Sequence, residues 1–561
     1  MLKKNLFQTI VLLMAVLLTA PALLAVKQPW EAMVPLPQTV DLRPQERPFF
    51  LTEKTRIFAA DVFRNEAELA AEELRRSTGL PLEVTLLSGE ATLPLEAPAI
   101  LFTEDPSVQG REAYTLEITA VAAKITASAP AGAFYGYQTL RQLLPPQVYS
   151  RTRRPGVMWV APACFVKDAP RLPWRGLMVD DCRHFLGAEA LRAMIDAMAA
   201  HKMNTLHWHL TDDQGWRIEI KAFPELTQKG AVRANSALPR DRWRADGKPY
   251  GPYFYTQEEI RDLVAYAAAR HITIVPEIEM PGHALCILTA FPALSCTGGP
   301  FQPRWLWGVE PDILCAGNDE VFPFMEKILD EVMALFPSKY IHCGGDEAPK
   351  DRWNACKKCQ QRIQTEGLRD SHHLQTWFIQ HFADYLESKG RHLIGWDEIL
   401  EGGLPKGAAV MSWRGKQGGI RAAAMGHNVV MAPNDYAYLD YGQGLEPTQD
   451  PYEYNGYCIT VAKAYSIDPA GGIPPEMQVF VIGLQGNLWS EYIWDGADQQ
   501  WKAWPRAAAL AEAGWTAQTK RVWEDFALRL PAAVTRLRFL GINCAPLPAP
   551  LIPVTPKEEQ Q

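Results

Sequence analysis

Two glycines followed by two carboxylates, Gly344-Gly345-Asp346-Glu347, form the densest chemical signal in the chain. Paired glycines let a backbone turn tightly at a strand end, and the acids that follow can hold, give or take a proton. Neighbours on an extended backbone point in different directions. Asp346 and Glu347 are therefore poorly placed to face each other at the separation of about 5 Å that the two carboxylates of an ordinary retaining glycosidase keep. One of them reads as an acid/base and the other as serving a different purpose, with a helix-capping Asp-Glu pair as the plainer alternative.

Similar groups recur wherever an apolar stretch ends. They are Arg175 and Asp180; His207, His209, Asp212 and Asp213; Glu277, Glu279 and His283; Trp396, Asp397 and Glu398; Trp413; Asn434, Asp435, Tyr438 and Asp440; and Trp489 and Glu491. Carboxylates supply acid/base chemistry, and indoles cover the apolar face of a sugar ring, so the set has the composition of a glycoside-cleaving pocket. Any one of these acids would also serve as a helix cap, and Trp413 and His209 would also fit a packed core.

Positioning such a ring of residues takes a repeated element. Candidate strands end at Val179, Leu210, Glu279, Gly345, Trp396, Trp413, Pro433 and Trp489, and helical periodicity follows most of them, as at 188–201, 257–270, 320–336 and 372–389. Eight strands alternating with helices predict a (β/α)8 TIM barrel over 169–545, with its site at the strands' C-terminal ends. Insertions at 229–255, 284–318 and 434–480 fall on that side. Residues 27–168 have a different texture, with short alternating stretches and two helical runs, and predict a small α+β domain with an antiparallel sheet. A proline-marked linker is expected over 162–173, and a tail over 546–561.

The 561 residues are 47% hydrophobic and 21% charged, which excludes a disordered chain. With 56 basic and 64 acidic side chains the net charge is −8, and no basic block points to nucleic acid. Lys3 and Lys4 precede an apolar run and then small residues, the layout of a signal peptide over 1–25, so the chain is expected to be exported to the periplasm or beyond, with no stable membrane span once mature. Ten cysteines are compatible with disulfides in such a protein. Cys296 and Cys315 flank a loop rich in Gly, Pro and Trp. Cys356-Lys-Lys-Cys359 would close a tight loop or remain reduced; as a zinc site the lone pair is weak, because four ligands are needed and no second pair stands nearby.

The runs Arg175-Gly-Leu-Met-Val-Asp180 with Arg183-His184-Phe185, Trp208-His-Leu-Thr-Asp-Asp-Gln-Gly-Trp-Arg217, Pro281-Gly-His283, His342-Cys-Gly-Gly-Asp-Glu347, Gly395-Trp-Asp-Glu398 and Leu488-Trp-Ser-Glu491 resemble the family 20 glycoside hydrolases, the β-N-acetylhexosaminidases. The likeness extends over the whole chain after the leader, since the family also carries a small α+β domain before its barrel. It implies exo-acting, retaining hydrolysis of terminal N-acetylhexosamine from a glycan or chito-oligosaccharide, without cofactor or metal. In that mechanism the substrate's acetamido oxygen is the nucleophile and an oxazolinium ion the intermediate. By resemblance, Asp346 orients and polarises the acetamido group, and Glu347 is the general acid and then base. Asp212 and His283 tune the acid, Arg175 clamps the 3- and 4-hydroxyls, and Glu491 holds the outer hydroxyls. Trp377, Trp396 and Trp489 box the sugar, with Tyr438 donating to the acetamido oxygen beside Asp440. Cys343 stands where an aliphatic would serve.

Two other readings use the same residues. His207-Trp-His209 has the spacing of a metal-dependent barrel hydrolase, which would need further ligands at later strand ends, where indoles and carboxylates prevail. A non-catalytic carbohydrate-binding protein on the same scaffold would keep the tryptophans but could lose the acid, and both Asp346 and Glu347 are present.

Overall fold

The computed structural model describes residues 31–87, 97–238, 241–403, 405–444, 456–548 and 551. The expected leader over 1–25 and most of the 546–561 tail lie outside them.

The N-terminal unit is built on a seven-stranded sheet in the order Thr39–Leu42, Cys164–Asp168, Tyr114–Ile118, Ala122–Ala127, Ala99–Glu104, Arg56–Ala60, Val84–Leu87. Only its first half is antiparallel; Ala122–Ala127, Ala99–Glu104, Arg56–Ala60 and Val84–Leu87 run parallel. The expected antiparallel sheet is thus a mixed one. The cause is local: helix Arg64–Thr78 carries the chain from the end of one strand back to the start of the next, and such a crossover produces parallel neighbours. The linker expected over 162–173 is also shorter than its prolines suggested. Cys164–Asp168 alternates buried and more open positions and pairs with strands on both sides, so the connection is confined to the residues just after Asp168.

The barrel follows. Trp174–Asp180, Thr205–His209, Thr273–Glu277, Tyr340–His342, His392–Trp396, Ala409–Ser412, Val429–Met431 and Val481–Leu488 form a closed, parallel eight-stranded sheet, the last strand pairing with the first. Val275, Ile394, Met411 and Val430 fill its interior with branched and long apolar groups, as a packed barrel requires. Helices including Ala188–Ala200, Gln257–Ala268, Val321–Leu335 and Ser371–Ser388 form the outer layer. Helix Gln257–Ala268 starts with a capping box, the Thr256 side chain accepting from the Glu259 amide and Glu259 answering at the Thr256 amide. The fourth strand ends at His342, short of the expected Gly345. Gly344 and Gly345 take φ +59° and +91°, left-handed values that leave the sheet.

Because all eight strands are parallel, their C-terminal ends share one mouth and their N-terminal ends share the base. The N-terminal unit docks at the base through ion pairs and hydrogen bonds. Arg175 donates to both carboxylate oxygens of Glu112 at 2.9 Å, and Lys202 Nζ sits 2.8 Å from Asp168 Oδ2. The Trp515 indole N–H also donates to Asp168, and His271 Nε2 lies 2.9 Å from Glu66. Among the described residues no helix is long and apolar enough to cross a membrane.

Candidate active site

The mouth gathers its carboxylates around His283, in the loop after the third strand. Nδ1 of His283 lies 3.2 Å from Asp212 and 3.3 Å from Asp213, while Nε2 lies 3.6 Å from Asp346 and 3.5 Å from Glu347. Burial disfavours a charged imidazole, but the acids prevail, Asp212 foremost, and hold the His283 pKa well above its ordinary value. A cation therefore stands behind the Asp346-Glu347 pair.

The pair itself is not extended. Glu347 has φ +45°, unusual for a residue with a Cβ, and the two carboxyls differ in exposure: Asp346 is buried, whereas the Glu347 side chain keeps 40% of its surface in water. Burial raises Asp346 to about 6, with His283 opposing and Glu277 and Glu347 adding to the rise. Glu347 moves the other way, its hydrogen bond to His283 lowering it despite partial burial. Asp346 Oδ1 is buried with no hydrogen-bond partner. Beneath them, both oxygens of the Glu279 carboxyl are likewise unpaired, and a Cβ on Gly344 would come within 1.7 Å of Glu279 Oε2. Only glycine admits that carboxyl there; burial, then Asp346 and Glu277, keep it protonated far above the usual range.

Asp212 links His283 to a second cation. Its Oδ2 is 2.8 Å from His209 Nε2 and 2.8 Å from an Arg183 terminal nitrogen. Arg183 also donates to Asp180 at 3.0 Å and to Gln214 at 3.0 Å, stands 3.9 Å from Glu491, and lies over the Trp489 ring at 4.9 Å. Arg183, three residues past the end of the first strand, thus places its guanidinium in the mouth among Asp212, Glu491 and Trp489. Arg175 is not in the mouth. It is the second residue of that strand, about 17 Å from the C-terminal end at 3.3 Å per residue, and it is buried against Glu112 and Trp515 at the base. The expectation that Arg175 clamps sugar hydroxyls is thereby corrected. The Arg183-His184-Phe185 run was the signal that could have found the arginine that reaches the mouth.

The aromatic wall needs one similar correction. Trp396 and Trp489 meet at 5.7 Å, Trp489 meets Tyr438 at 6.4 Å, and Trp413 stacks on Tyr438 at 6.1 Å with rings 15° apart. The Trp413 indole donates to Glu398 Oε2 at 2.9 Å, which ties it into the wall. Trp377 is elsewhere: on the outer helix Ser371–Ser388 it packs against Phe322 at 5.4 Å and under Arg362 at 4.9 Å. A tryptophan at a strand end faces the mouth, whereas one seven residues into a surrounding helix faces its helical neighbours.

Asp440 and Glu491 complete the rim. Asp440 is buried, its Oδ1 unpaired, and burial followed by the nearby Glu491 charge pushes it up to about 8. Burial also raises Glu491, with Arg183 opposing. Glu398 rises to about 8 from burial and then from Asp346 and Asp397. Cys343 is fully buried and its thiol pushed upward by burial, so it has no reactive character.

Deeper in the barrel, Glu277 lies 3.1 Å from His207, 2.5 Å from His209 and 2.8 Å from His342, and accepts the Trp396 indole N–H at 2.7 Å. His342 is the later-strand histidine that a metal hydrolase would need. All three rings instead converge on one carboxylate in a fully buried cluster, without the open position a catalytic metal requires.

Comparison with known proteins gives a consistent picture. The profile described as glycosyl hydrolase family 20, catalytic domain, matches residues 172–518, and that of the family's domain 2 matches 31–169. A beta-hexosaminidase of Porphyromonas gingivalis is 44% identical over 521 residues, which is 92% of this chain and 64% of that protein. Among solved structures, the N-acetyl-beta-hexosaminidase of Streptomyces plicatus in complex with Thio-NAglucal aligns with TM-score 0.80 at 30% identity, covering 93% of this chain and 97% of that one. The exo beta-N-acetylglucosaminidase of Vibrio harveyi in complex with N-acetylglucosamine aligns with TM-score 0.79 at 30% identity, covering 92% and 78%.

Proposed function

The chain belongs to glycosyl hydrolase family 20, and from that membership we propose that its barrel mouth removes terminal N-acetylhexosamine from the non-reducing end of β-linked glycans or chito-oligosaccharides. One observation carries the reading: a buried Asp346 oxygen is left without a partner beside an aromatic wall, while the adjacent Glu347 opens to water. Both carboxyls stand beside the same His283 nitrogen, one deep and one open, rather than on facing walls. They suit a reaction in which the sugar supplies its own nucleophile.

In the first step the acetamido carbonyl oxygen attacks the anomeric carbon while the glycosidic C–O bond breaks. Asp346 accepts from the acetamido N–H and faces the positive charge that develops on the oxazolinium ring. Glu347 gives its proton to the leaving oxygen; in the second step it takes a proton from water, which opens the ring at the anomeric carbon with net retention. Trp396, Trp413 and Trp489 enclose the sugar and its acetamido methyl, and Tyr438 donates to the acetamido oxygen. Arg183, Asp440 and Glu491 hold hydroxyls, Arg183 in the part first expected of Arg175. Asp212, through His283, sets the charge behind the pair.

Glu347 must be protonated to act, yet His283 favours its anion in the open site. A bound sugar would strip water from the 40% of its surface that is exposed, and desolvation favours the neutral acid. The Streptomyces plicatus and Vibrio harveyi relatives, with Thio-NAglucal and N-acetylglucosamine bound, support sugar as the occupant of such a mouth. Residues 1–25 read as a cleaved leader, which gives a periplasmic or extracellular enzyme; N-terminal sequencing of the mature protein checks this.

The deciding experiment is a hydrolysis panel of aryl N-acetylglucosaminides, N-acetylgalactosaminides, plain glucosides and short chitin oligomers. Cleavage confined to sugars bearing the 2-acetamido group supports the reading. Comparable rates on plain glucosides would remove its basis.

A further inference from the structure

Cys296, Cys315, Cys356 and Cys359, which stand as unrelated pairs in the sequence, meet in space. Their sulfurs all lie within 4.8 Å of one another, with 3.8 Å between Cys296 and Cys359, 3.8 Å between Cys315 and Cys356, and 3.6 Å between Cys315 and Cys359. A regular tetrahedron of thiolates around zinc, with Zn–S bonds of about 2.3 Å, has sulfur-sulfur edges of about 3.8 Å. The four thiols are free, and their spacing is nearly twice the length of about 2.05 Å that a disulfide would impose.

The surroundings match such an ion as well. Cys315 and Cys359 are buried, and Cys296 and Cys356 are partly so, which gives a closed site of the structural kind. Gly317, two residues after Cys315, packs directly on the backbone at Lys358-Cys359. A Cβ on Gly317 would sit 2.4 Å from the Cys359 nitrogen and 2.2 Å from the Lys358 carbonyl carbon, so only glycine lets the two cysteine-bearing segments come so close. Lys357 and Lys358, between the paired cysteines, with Arg352 nearby, offset the net negative charge of a zinc tetrathiolate.

We propose that these four cysteines bind one structural zinc ion, and that the ion ties together the two loops that carry the acid machinery. Cys296 and Cys315 belong to the insertion after the third strand, the loop of His283; Cys356 and Cys359 follow Glu347 in the loop after the fourth. The same junction is stitched by the Trp353 indole donating to the Leu314 carbonyl at 2.9 Å and by Arg352 donating to Asp312 at 2.9 Å. The lone Cys356-Lys-Lys-Cys359 pair that seemed too little for zinc thus has its second half in Cys296 and Cys315.

The test is elemental analysis of the full-length protein purified without a metal-chelating step, together with a thiol count under denaturing, non-reducing conditions with and without a chelator. One zinc per chain is expected, with all four cysteines alkylated once chelator is present. Cys315→Ser/Cys359→Ser should lose the zinc. Should that variant fail to fold, release of one zinc from the wild-type protein by a mercurial, read with a chromogenic chelator, gives the same answer. So does cobalt substitution, which should produce the absorption of a tetrahedral tetrathiolate. Two disulfides among the four cysteines in the unreduced mass spectrum would overturn the proposal, as would a zinc-free protein from zinc-supplemented cells or stoichiometric iron in place of zinc.

Discussion

His283 and Glu347 face each other at 3.5 Å from two left-handed backbone positions, φ +47° and +45°, on loops after different barrel strands. Neither conformation is comfortable for a residue with a Cβ, and each brings its side chain to the other. Glu347→Gln keeps the shape and removes the proton donor. On N,N′-diacetylchitobiose it should lower kcat by about 10²- to 10⁴-fold, and by less on an aryl substrate whose leaving group needs no proton. Equal losses on both substrates would show that Glu347 is not the acid.

The pH profile follows from Asp346 and Glu347 together. Asp346, raised to about 6, works as an anion, while Glu347, lowered in the open site, works as an acid. The active protonation state is thus a minor one, and kcat/KM should fall as pH rises through about 6 and as it drops through the Glu347 pKa. Sugar binding raises that pKa by desolvation, so the alkaline limb of kcat should lie at higher pH than that of kcat/KM. A kcat limb at the same or lower pH would contradict the sense of that shift. Asp346→Asn should slow the first step and remove the limb near 6.

Arg175 and Arg183 make a paired test. Arg183→Met should raise KM and lower kcat/KM while leaving the thermal midpoint nearly unchanged. Arg175→Met strands Glu112 and uncouples the base; it should destabilise by about 3 kcal/mol, seen in denaturant titration, with KM unchanged in the folded fraction. An Arg175 variant with weakened sugar binding and full stability would reverse the two assignments.

The two tryptophans divide in the same way. Trp413→Ala opens the wall beside Tyr438 and should cost at least tenfold in kcat/KM on N-acetylated substrates, whereas Trp377→Ala should leave kcat/KM within about twofold and lower stability by about 2 kcal/mol through lost packing on Phe322. Inhibition by a thiazoline analogue of the cyclic intermediate should weaken in the Trp413 variant alone.

The barrel was legible in the sequence because eight apolar stretches, each closed by polar or aromatic residues, repeat with helical segments between them. The acid pair and His283 were legible because they sit on short runs where glycine or proline fixes the chain. Arg175 and Trp377 were misplaced for one reason: linear motifs do not say which end of a strand, or which side of a helix, a residue occupies. Arg175 opens its strand and Arg183 follows it, and only the direction of the strand separates base from mouth. The four cysteines were illegible for a related reason. Their halves lie on loops from two different strands, and only barrel closure brings those loops side by side.

The base of the barrel has a bearing on how the protein can be handled. Glu66, Glu112 and Asp168, all from the first unit, face His271, Arg175 and Lys202 of the second. A truncated catalytic half beginning near residue 170 would carry three stripped basic groups into water on a face shaped for something else. The first unit is thus the barrel's floor rather than a detachable accessory, and a minimal enzyme cut from this chain has to keep both.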